Sequence, residues 1–283
     1  MSEVAWPAPA KLNLFLHVVG RRADGYHLLQ TVFQFLDYGD DLTFTLRPDG
    51  VIRRTSDLPG VLPEADLVVR AARVLQTATG TPQGVEISVA KRLPMGGGLG
   101  GGSSNAATVL VALNHLWGTG LAATDLAQLG LGLGADVPVF VHGQAAWAEG
   151  VGERLSPISL PEPIMLVIHP GVSVPTGAIF GQVELTRNTP VRTIHGLSLA
   201  DCHNDCEPVT RALFPVVGAA LDWLMKFAPA RMSGTGACVF APFADRSSAT
   251  AVGKAVPREW SWFIASACNR SPLIKRLAQT RGG

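Results

Sequence analysis

The stretch best suited to chemistry is Lys91–Ala107, where six of the seven positions from Gly96 to Gly102 are glycine and Ser103, Ser104 and Asn105 follow directly. So many glycines cost folding entropy and have no use in a simple turn. They let backbone N–H groups come close to a ligand. The apolar run from Ala106 to Leu116 predicts a helix whose first amides and positive dipole end point to the same place. Val85–Val89 alternates with period two and predicts a strand before the loop. Strand, glycine loop and helix in that order are what anion binding requires, and Ser103 and Ser104 stand where hydroxyls cap the helix or meet a phosphate. The alternative is a flexible glycine hinge with capping serines.

The kind of phosphate loop is narrowed by what it lacks. No lysine precedes Ser103, so the G-x-x-x-x-G-K-[ST] pattern is absent. Gly96, Gly98 and Gly101 satisfy G-x-G-x-x-G, but a glycine run matches that pattern almost freely. A dinucleotide fold also needs an acid closing a second strand, and Asp125 is expected at a helix start instead. Two further residues stand out. Lys11 is the only charge between Glu3 and Arg21, and Asp136 ends Gly134-Ala135 before Val137-Pro138. Taken alone, Lys11 reads as a solvated lysine at a strand start, Asp136 as a turn residue, and Tyr26 and His27 as loop residues. Cys202 and Cys206 flank His203, but without a second pair they read as structural, and no structural metal is expected.

These residues need elements to position them. Leu12–Val19 predicts a strand closed by the polar loop Arg21–Gly25, and Thr31–Leu36 and Asp41–Leu46 predict two more around a turn at Tyr38-Gly39-Asp40. Leu67–Thr77 has helical spacing, with Arg70 and Arg73 on one face. Thr124 is expected to cap a helix over Asp125–Leu131, and Val137–Val141 to resume as a strand. Gly152, Pro157, Pro161 and Pro163 mark a boundary, which gives domains 1–157 and 158–283. Beyond it, Ile164–Ile168 predicts a buried strand, Val209–Phe227 a helical stretch, and Cys238–Phe240 a strand. Strands and helices mix in both halves without regular βαβ alternation, so the fold class expected is two α+β domains.

Composition excludes several classes. At 47% hydrophobic residues the chain is no disordered tail, and 23 Lys+Arg against 22 Asp+Glu leave +1, which fits no polybasic nucleic-acid binder. A membrane span needs about 20 mostly apolar residues. Leu93–Thr124 is interrupted by glycines, Asn105, Asn114 and His115, and Pro163–Val183 by Pro170 and Pro175. Four cysteines in 283 residues, and MSEVAWPAPAKLN with an acid at position 3 and no apolar core, fit a soluble cytoplasmic protein without a secretory leader.

Pro94–Ala107 resembles the phosphate motif of the GHMP small-molecule kinases, P-x-x-x-G-L-G-S-S-A-A, with extra glycines at Gly100-Gly101-Gly102. Pro9–Leu14, Asp24–His27, Leu133–Pro138 and Ser233–Cys238 are similar to stretches of the same family in the same order. The resemblance implies a ribosomal-S5-like N-terminal domain, a ferredoxin-like C-terminal domain and a site in the cleft between them. It implies transfer of the γ-phosphoryl of ATP, entering with Mg²⁺, to the 2-hydroxyl of 4-diphosphocytidyl-2-C-methyl-D-erythritol, an isoprenoid precursor of the non-mevalonate route. Carried over by position, Lys11 and Asp136 would be the catalytic pair, with Asn13 beside them on the substrate side. Pro94, Met95, Gly96, Gly97, Gly98, Leu99, Gly100, Gly101, Gly102, Ser103 and Ser104 would hold ATP, and Tyr26, His27 and Phe180 the cytosine. Nothing is carried over to residues 47–64 or 183–203.

Overall fold

The period-two run at Leu12–Val19 lies inside a longer strand, β1 (Trp6–Arg21), which runs antiparallel to β2 (His27–Arg47) across the polar turn at Asp24 and Gly25. The computed structural model describes residues 5–57, 65–194 and 198–281. Glu3, on which the expectation of no leader rests, is outside them. β2 is one strand where the sequence predicts two. Gly39 does not turn: it faces Pro9 so closely that a Cβ would stand 2.5 Å from the Pro9 Cα. Asp40 beside it is buried, accepts from the backbone N–H of Arg92 (2.7 Å) and Leu93 (2.8 Å), and pairs with Lys91. Here glycine serves close approach and aspartate a buried ion pair, not a bend.

β3 (Ile52–Arg54) pairs parallel with β4 (Gly84–Ala90), which pairs antiparallel with β2. Against this sheet lie α1 (Leu67–Thr79) and α2 (Gly101–Leu116). Leu75, Ile87, Leu110 and Phe140 are fully buried in their shared core. α2 is enclosed along Ser104–Asn114, so its first turn has one fixed position. α3 (Ala123–Leu131) starts two residues before the expected span, because Asp125 and not Thr124 closes its first turn, accepting from the Ala122 N–H at 3.3 Å. Val137–Val141 is not a strand but most of α4 (Val137–His142). Pro138 suits a first helical turn, Gly143 closes the helix at φ 62°, and burial of every residue from Val137 to Val141 overrides their β-branched preference. β5 (Ala146–Glu149) and β6 (Arg154–Pro157) extend the sheet beside β2.

The second half builds an antiparallel sheet from β7 (Ile164–His169), β8 (Arg231–Met232), β9 (Val239–Phe243) and β10 (Ser261–Cys268). It carries α5 (Thr176–Phe180), a 3₁₀ turn at Leu199–Asp201, α6 (Glu207–Leu213), α7 (Pro215–Leu224) and α8 (Arg246–Gly253). The helix expected over Val209–Phe227 is thus two. Pro215 cannot continue α6, and Phe214 before it leaves helical geometry at φ −131°, ψ 74°. β10 joins the halves, pairing with β7 up to Ser266 and then with β2 through Ala267–Leu36 and Cys268–Phe35. α9 (Pro272–Arg281) returns across the boundary drawn at 157/158 and places Leu273, fully buried, in the first core. No helix among the described residues is long and apolar enough to cross a membrane.

Candidate active site

The glycine loop lies where the two halves meet, and its hydrogen bonds are one-sided. Gly96 O accepts from the N–H groups of Val174 (3.2 Å) and Ala237 (3.1 Å), and Gly97 O from that of Cys238 (3.0 Å). Gly98 O accepts from Ser233 Oγ (2.9 Å) and Lys11 Nζ (3.2 Å), and Leu99 O from the Lys11 N–H (3.0 Å). The carbonyls therefore face the protein. Among the described residues, none of the amides from Gly96 to Gly100 donates to a protein group. α2 adds its own unpaired first amides, has Gly100 and no side chain at its cap, and has no acid in its first turn. Gly96, Gly98 and Gly100 alternate at φ 66°, 73° and 72°, the arrangement that turns successive N–H groups into one concavity. At Gly98 a Cβ would also stand 2.1 Å from Ser233 O, whereas at Gly101 the nearest atom would be Lys91 Nζ at 3.4 Å. Ser103 lines the cavity above the loop. Ser104 does not: it is fully buried, and its hydroxyl donates to Pro9 O at 2.7 Å. It fastens α2 to β1 and is not free to meet a phosphate.

Lys11 and Asp136, 125 positions apart, meet at the end of this loop with Nζ and Oδ2 3.3 Å apart. Lys11 is 3% exposed. Its ammonium also donates to Asn13 Oδ1 (2.5 Å) and lies over the Phe33 ring, so the desolvated charge has acceptors on several sides. Asn13 Nδ2 donates to Thr31 Oγ1 at 3.0 Å, and that hydroxyl donates to Phe15 O, which orients the amide with its oxygen towards Lys11. Asp136 precedes α4 without capping it, and its side chain is 32% exposed. The pair is a buried cation with a carboxylate at the cavity mouth.

The cavity is about 630 Å³ and runs from Leu67 and Lys91 past the loop and the pair to Leu29, Val151 and Phe180. That volume is of the usual size for a small-molecule site. At the far end Phe180 lines the cavity; the His27 ring, which is not among the lining residues, stands 5.0 Å from the Phe180 ring at 30°. Tyr26 is 62% exposed and lies in an adjoining hollow with Arg22, Asp24 and Ala135, so the structure does not bring it into the main cavity. Burial first, and then the Arg187 and Arg21 cations, hold the His27 imidazole below its ordinary pKa.

A family model described as GHMP kinases N terminal domain matches residues 66–144, and one described as GHMP kinases C terminal matches 185–261. The chain belongs to the GHMP kinases. Among curated relatives, a protein of Nitrosococcus oceani named 4-diphosphocytidyl-2-C-methyl-D-erythritol kinase is 59% identical over 275 residues, covering 97% of this chain and 98% of its own. One of the same name from Alkalilimnicola ehrlichii is 59% identical over 272 residues, 96% and 94% of the two chains. A crystal structure of 4-(cytidine 5'-diphospho)-2C-methyl-D-erythritol kinase superposes with a TM-score of 0.80 at 33% identity, covering 93% of this chain and 99% of that one. Homoserine kinase from Cytophaga hutchinsonii shares the fold, with a TM-score of 0.70 at 19% identity and coverage of 94% and 95%.

In this GHMP kinase, some of the supporting residues went unassigned in the sequence. Ser233–Cys238 braces the back of the loop; its motif was visible but not its role. Arg187, bonded to His27 Nε2 at 3.0 Å, lies in a stretch with no motif to mark it. The family resemblance implies Mg²⁺ with ATP, and the oxygen donors around the cavity bear on whether such an ion could be held. Among the described residues no cluster of three His, Cys, Asp or Glu side chains could hold a metal alone. Asn105 Oδ1, however, is buried at the cavity wall without a hydrogen-bond partner, and Asp136 offers a carboxylate. Hard oxygen donors this few suit an ion bound mainly through phosphates and water. Cys202 and Cys206 are buried, and burial pushes the Cys206 thiol up to about 12, so they behave as structural residues.

Proposed function

We propose that this ATP-dependent small-molecule kinase transfers the γ-phosphoryl of ATP to the 2-hydroxyl of 4-diphosphocytidyl-2-C-methyl-D-erythritol, and that it works in the cytoplasm. The observation that carries the reading is the one-sided loop: carbonyls bound inward, amides open, and the Lys11–Asp136 pair at its end. Phosphoryl transfer asks for positioning and charge neutralisation more than for covalent chemistry. The free amides of Gly96–Gly100 and the first turn of α2 would hold the phosphates of ATP, with Pro94, Met95 and Ser103 shaping the rim. Asp136 would accept or orient the proton of the attacking hydroxyl. The substrate hydroxyl oxygen would bond to the γ-phosphorus while the bond from that phosphorus to the β,γ-bridging oxygen breaks, and ADP leaves. Lys11, fixed by Asn13 and Gly98 O, would steady charge on the transferring group. Asp136 and the Asn105 amide oxygen would hold Mg²⁺, which adds neutralisation of phosphate charge. His27 and Phe180 would take the cytosine, with Tyr26 at the outer edge.

The reading is supported by relatives of that name along nearly the whole chain, whereas the homoserine kinase likeness extends to the fold alone. A coupled ADP-release assay tests it, with the diphosphocytidyl substrate against homoserine, mevalonate and other alcohols. The expected result is turnover with the diphosphocytidyl compound at least a hundredfold above the rest; equal or better turnover of another alcohol overturns it.

A further inference from the structure

Arg187 is bound in an unusual way. A guanidinium has five N–H donors in a fixed fork and no acceptor, and here each finds a partner. Nη2 donates to Phe180 O (3.0 Å) and Gln182 O (2.5 Å), and Nη1 to Leu185 O (3.0 Å) and Val183 O (3.3 Å). Nε donates to His27 Nε2 at 3.0 Å. With all donors engaged, the group has no freedom to swing away from the imidazole.

The bond to His27 restricts that ring to one form. A guanidinium always donates, so Nε2 must offer its lone pair. The imidazolium and the Nε2–H tautomer would both set N–H against N–H, and what remains is the neutral ring with its proton on Nδ1. Burial and the neighbouring cations act in the same direction. Among the described residues no protein acceptor is bonded to Nδ1, so that donor is left for a ligand. The same guanidinium holds the carbonyl of Phe180, whose ring lies beside His27 at 5.0 Å, tilted by 30°. Stacking platform and donor are therefore held by one side chain.

We propose that Arg187 determines which pyrimidine this enzyme accepts, by fixing His27 as a donor at Nδ1 that matches N3 of cytosine and opposes N3–H of uracil. The inference rests on the reading of the His27–Phe180 end as the base subsite. Cytosine offers an acceptor at N3 where uracil offers a donor. A histidine free to exchange tautomers serves either base, whereas a locked one serves only the first. A site that would leave a buried donor facing a donor rejects the analogue strongly. Arg187 is a positioning residue here, acting through His27.

Arg187→Met also removes the four carbonyl contacts, so one measurement is made on the unaltered protein. Long-range ¹H–¹⁵N spectra of the imidazoles, with His27 assigned by comparison with His27→Gln, are expected to show a protonated Nδ1 and a bare Nε2 at pH 7. A mixed population, an Nε2–H tautomer or an imidazolium overturns the proposal. The second measurement is kcat/KM for the diphosphocytidyl substrate and its diphosphouridyl analogue, in wild type and in Arg187→Met. The expected result is a loss of about tenfold or more in the cytidyl preference, carried by the KM of the cytidyl compound, with the KM for ATP within twofold. An equal loss with both compounds would indicate a merely structural arginine and overturn the inference while leaving the substrate reading intact. Wild-type enzyme without turnover of the diphosphocytidyl compound overturns both.

Discussion

The two ends of the cavity are built from different materials. At the phosphate end a ligand would meet main chain: amides of one continuous loop and one helix terminus, placed by hydrogen bonds from Val174, Ala237, Cys238 and Lys11 to the carbonyls behind them. At the base end it would meet side chains: His27 at the start of β2, Phe180 at the end of α5, and Arg187 beyond it clamping both. Main-chain recognition needs conformations that only glycine adopts freely, so it leaves a dense local trace in a sequence. Side-chain recognition draws single residues from distant segments and leaves almost none. The phosphate end also reads charge and shape common to many nucleotides, while the base end can tell one ring from another.

The largest effect should come between the two ends, at the reacting atoms. Asp136→Asn keeps the shape and removes the basic oxygen, so kcat should fall by about 10²–10⁴ with the KM for the diphosphocytidyl compound and the melting temperature nearly unchanged. A folded variant within a few-fold of wild-type turnover would mean that another carboxylate handles the proton. Lys11→Met should also lower kcat. The double variant should lose less than the two factors multiplied, because the side chains stand 3.3 Å apart and act as a unit.

The phosphate end can be tested with two glycines that differ in their surroundings. Gly101→Val puts its Cβ at ordinary contact distances and should raise the KM for ATP by about tenfold or more while the fold survives. Gly98→Ala meets Ser233 O at 2.1 Å from a positive φ and should lower stability by about 1–3 kcal/mol or more. Thermal unfolding alongside ATP titration separates the outcomes. If Gly101→Val binds ATP normally, the loop is packing and not a cradle.

The base end should respond more weakly and on the other substrate. Phe180→Ala is expected to weaken the diphosphocytidyl compound by about 1–3 kcal/mol, as for a lost base–aromatic stack, with ATP unaffected. Tyr26→Ala should do less, because its ring is 62% exposed and outside the main cavity. Calorimetric titration of each ligand checks both, and a loss of ATP affinity in either variant would erase the distinction between the ends.

The smallest effect is one of pH. The unfolded chain protonates His27 near 6.5, while burial and two arginines hold the folded value lower. Between those values the unfolded state binds more protons, so stability rises with pH through that window and falls as pH drops below about 6.5. Binding of the diphosphocytidyl compound should follow the same course and stay flat from pH 6.5 to 8. Binding that instead weakens between pH 8 and 7 would place a titrating imidazole at the base end after all.

The same contrast decides what could be read in advance. β1, β4, β7, α1 and α2 followed from periodicity, since each has one clearly apolar face or run. Lys11 and Asp136 became a pair only through the family resemblance. Burial then undid several local inferences. Gly39 and Asp40 look like a turn and are a tight strand crossing. Val137–Val141 looks like a strand and is a helix, because enclosure on all sides removes the pattern that would tell them apart. Ser104 carries a hydroxyl suited to a phosphate, and tertiary contact with Pro9 takes it out of reach. Arg187 has no local signal, because its partners are mostly carbonyls, which every residue has.

The route of β10 and α9 bears on the order in which the molecule can be assembled. β10 supplies partners to Leu36 and Phe35 of β2, and β10 and α9 insert Cys268 and Leu273 into a core whose other buried residues all precede 150. A chain emerging from the ribosome therefore carries an N-terminal half that lacks its closing pieces until nearly 280 residues have been made. Domains that complete their own cores can fold one after another during synthesis. Here the first half must wait for the last, so nascent chains stalled between β9 and α9 should remain open to protease in both halves and become resistant in both at once.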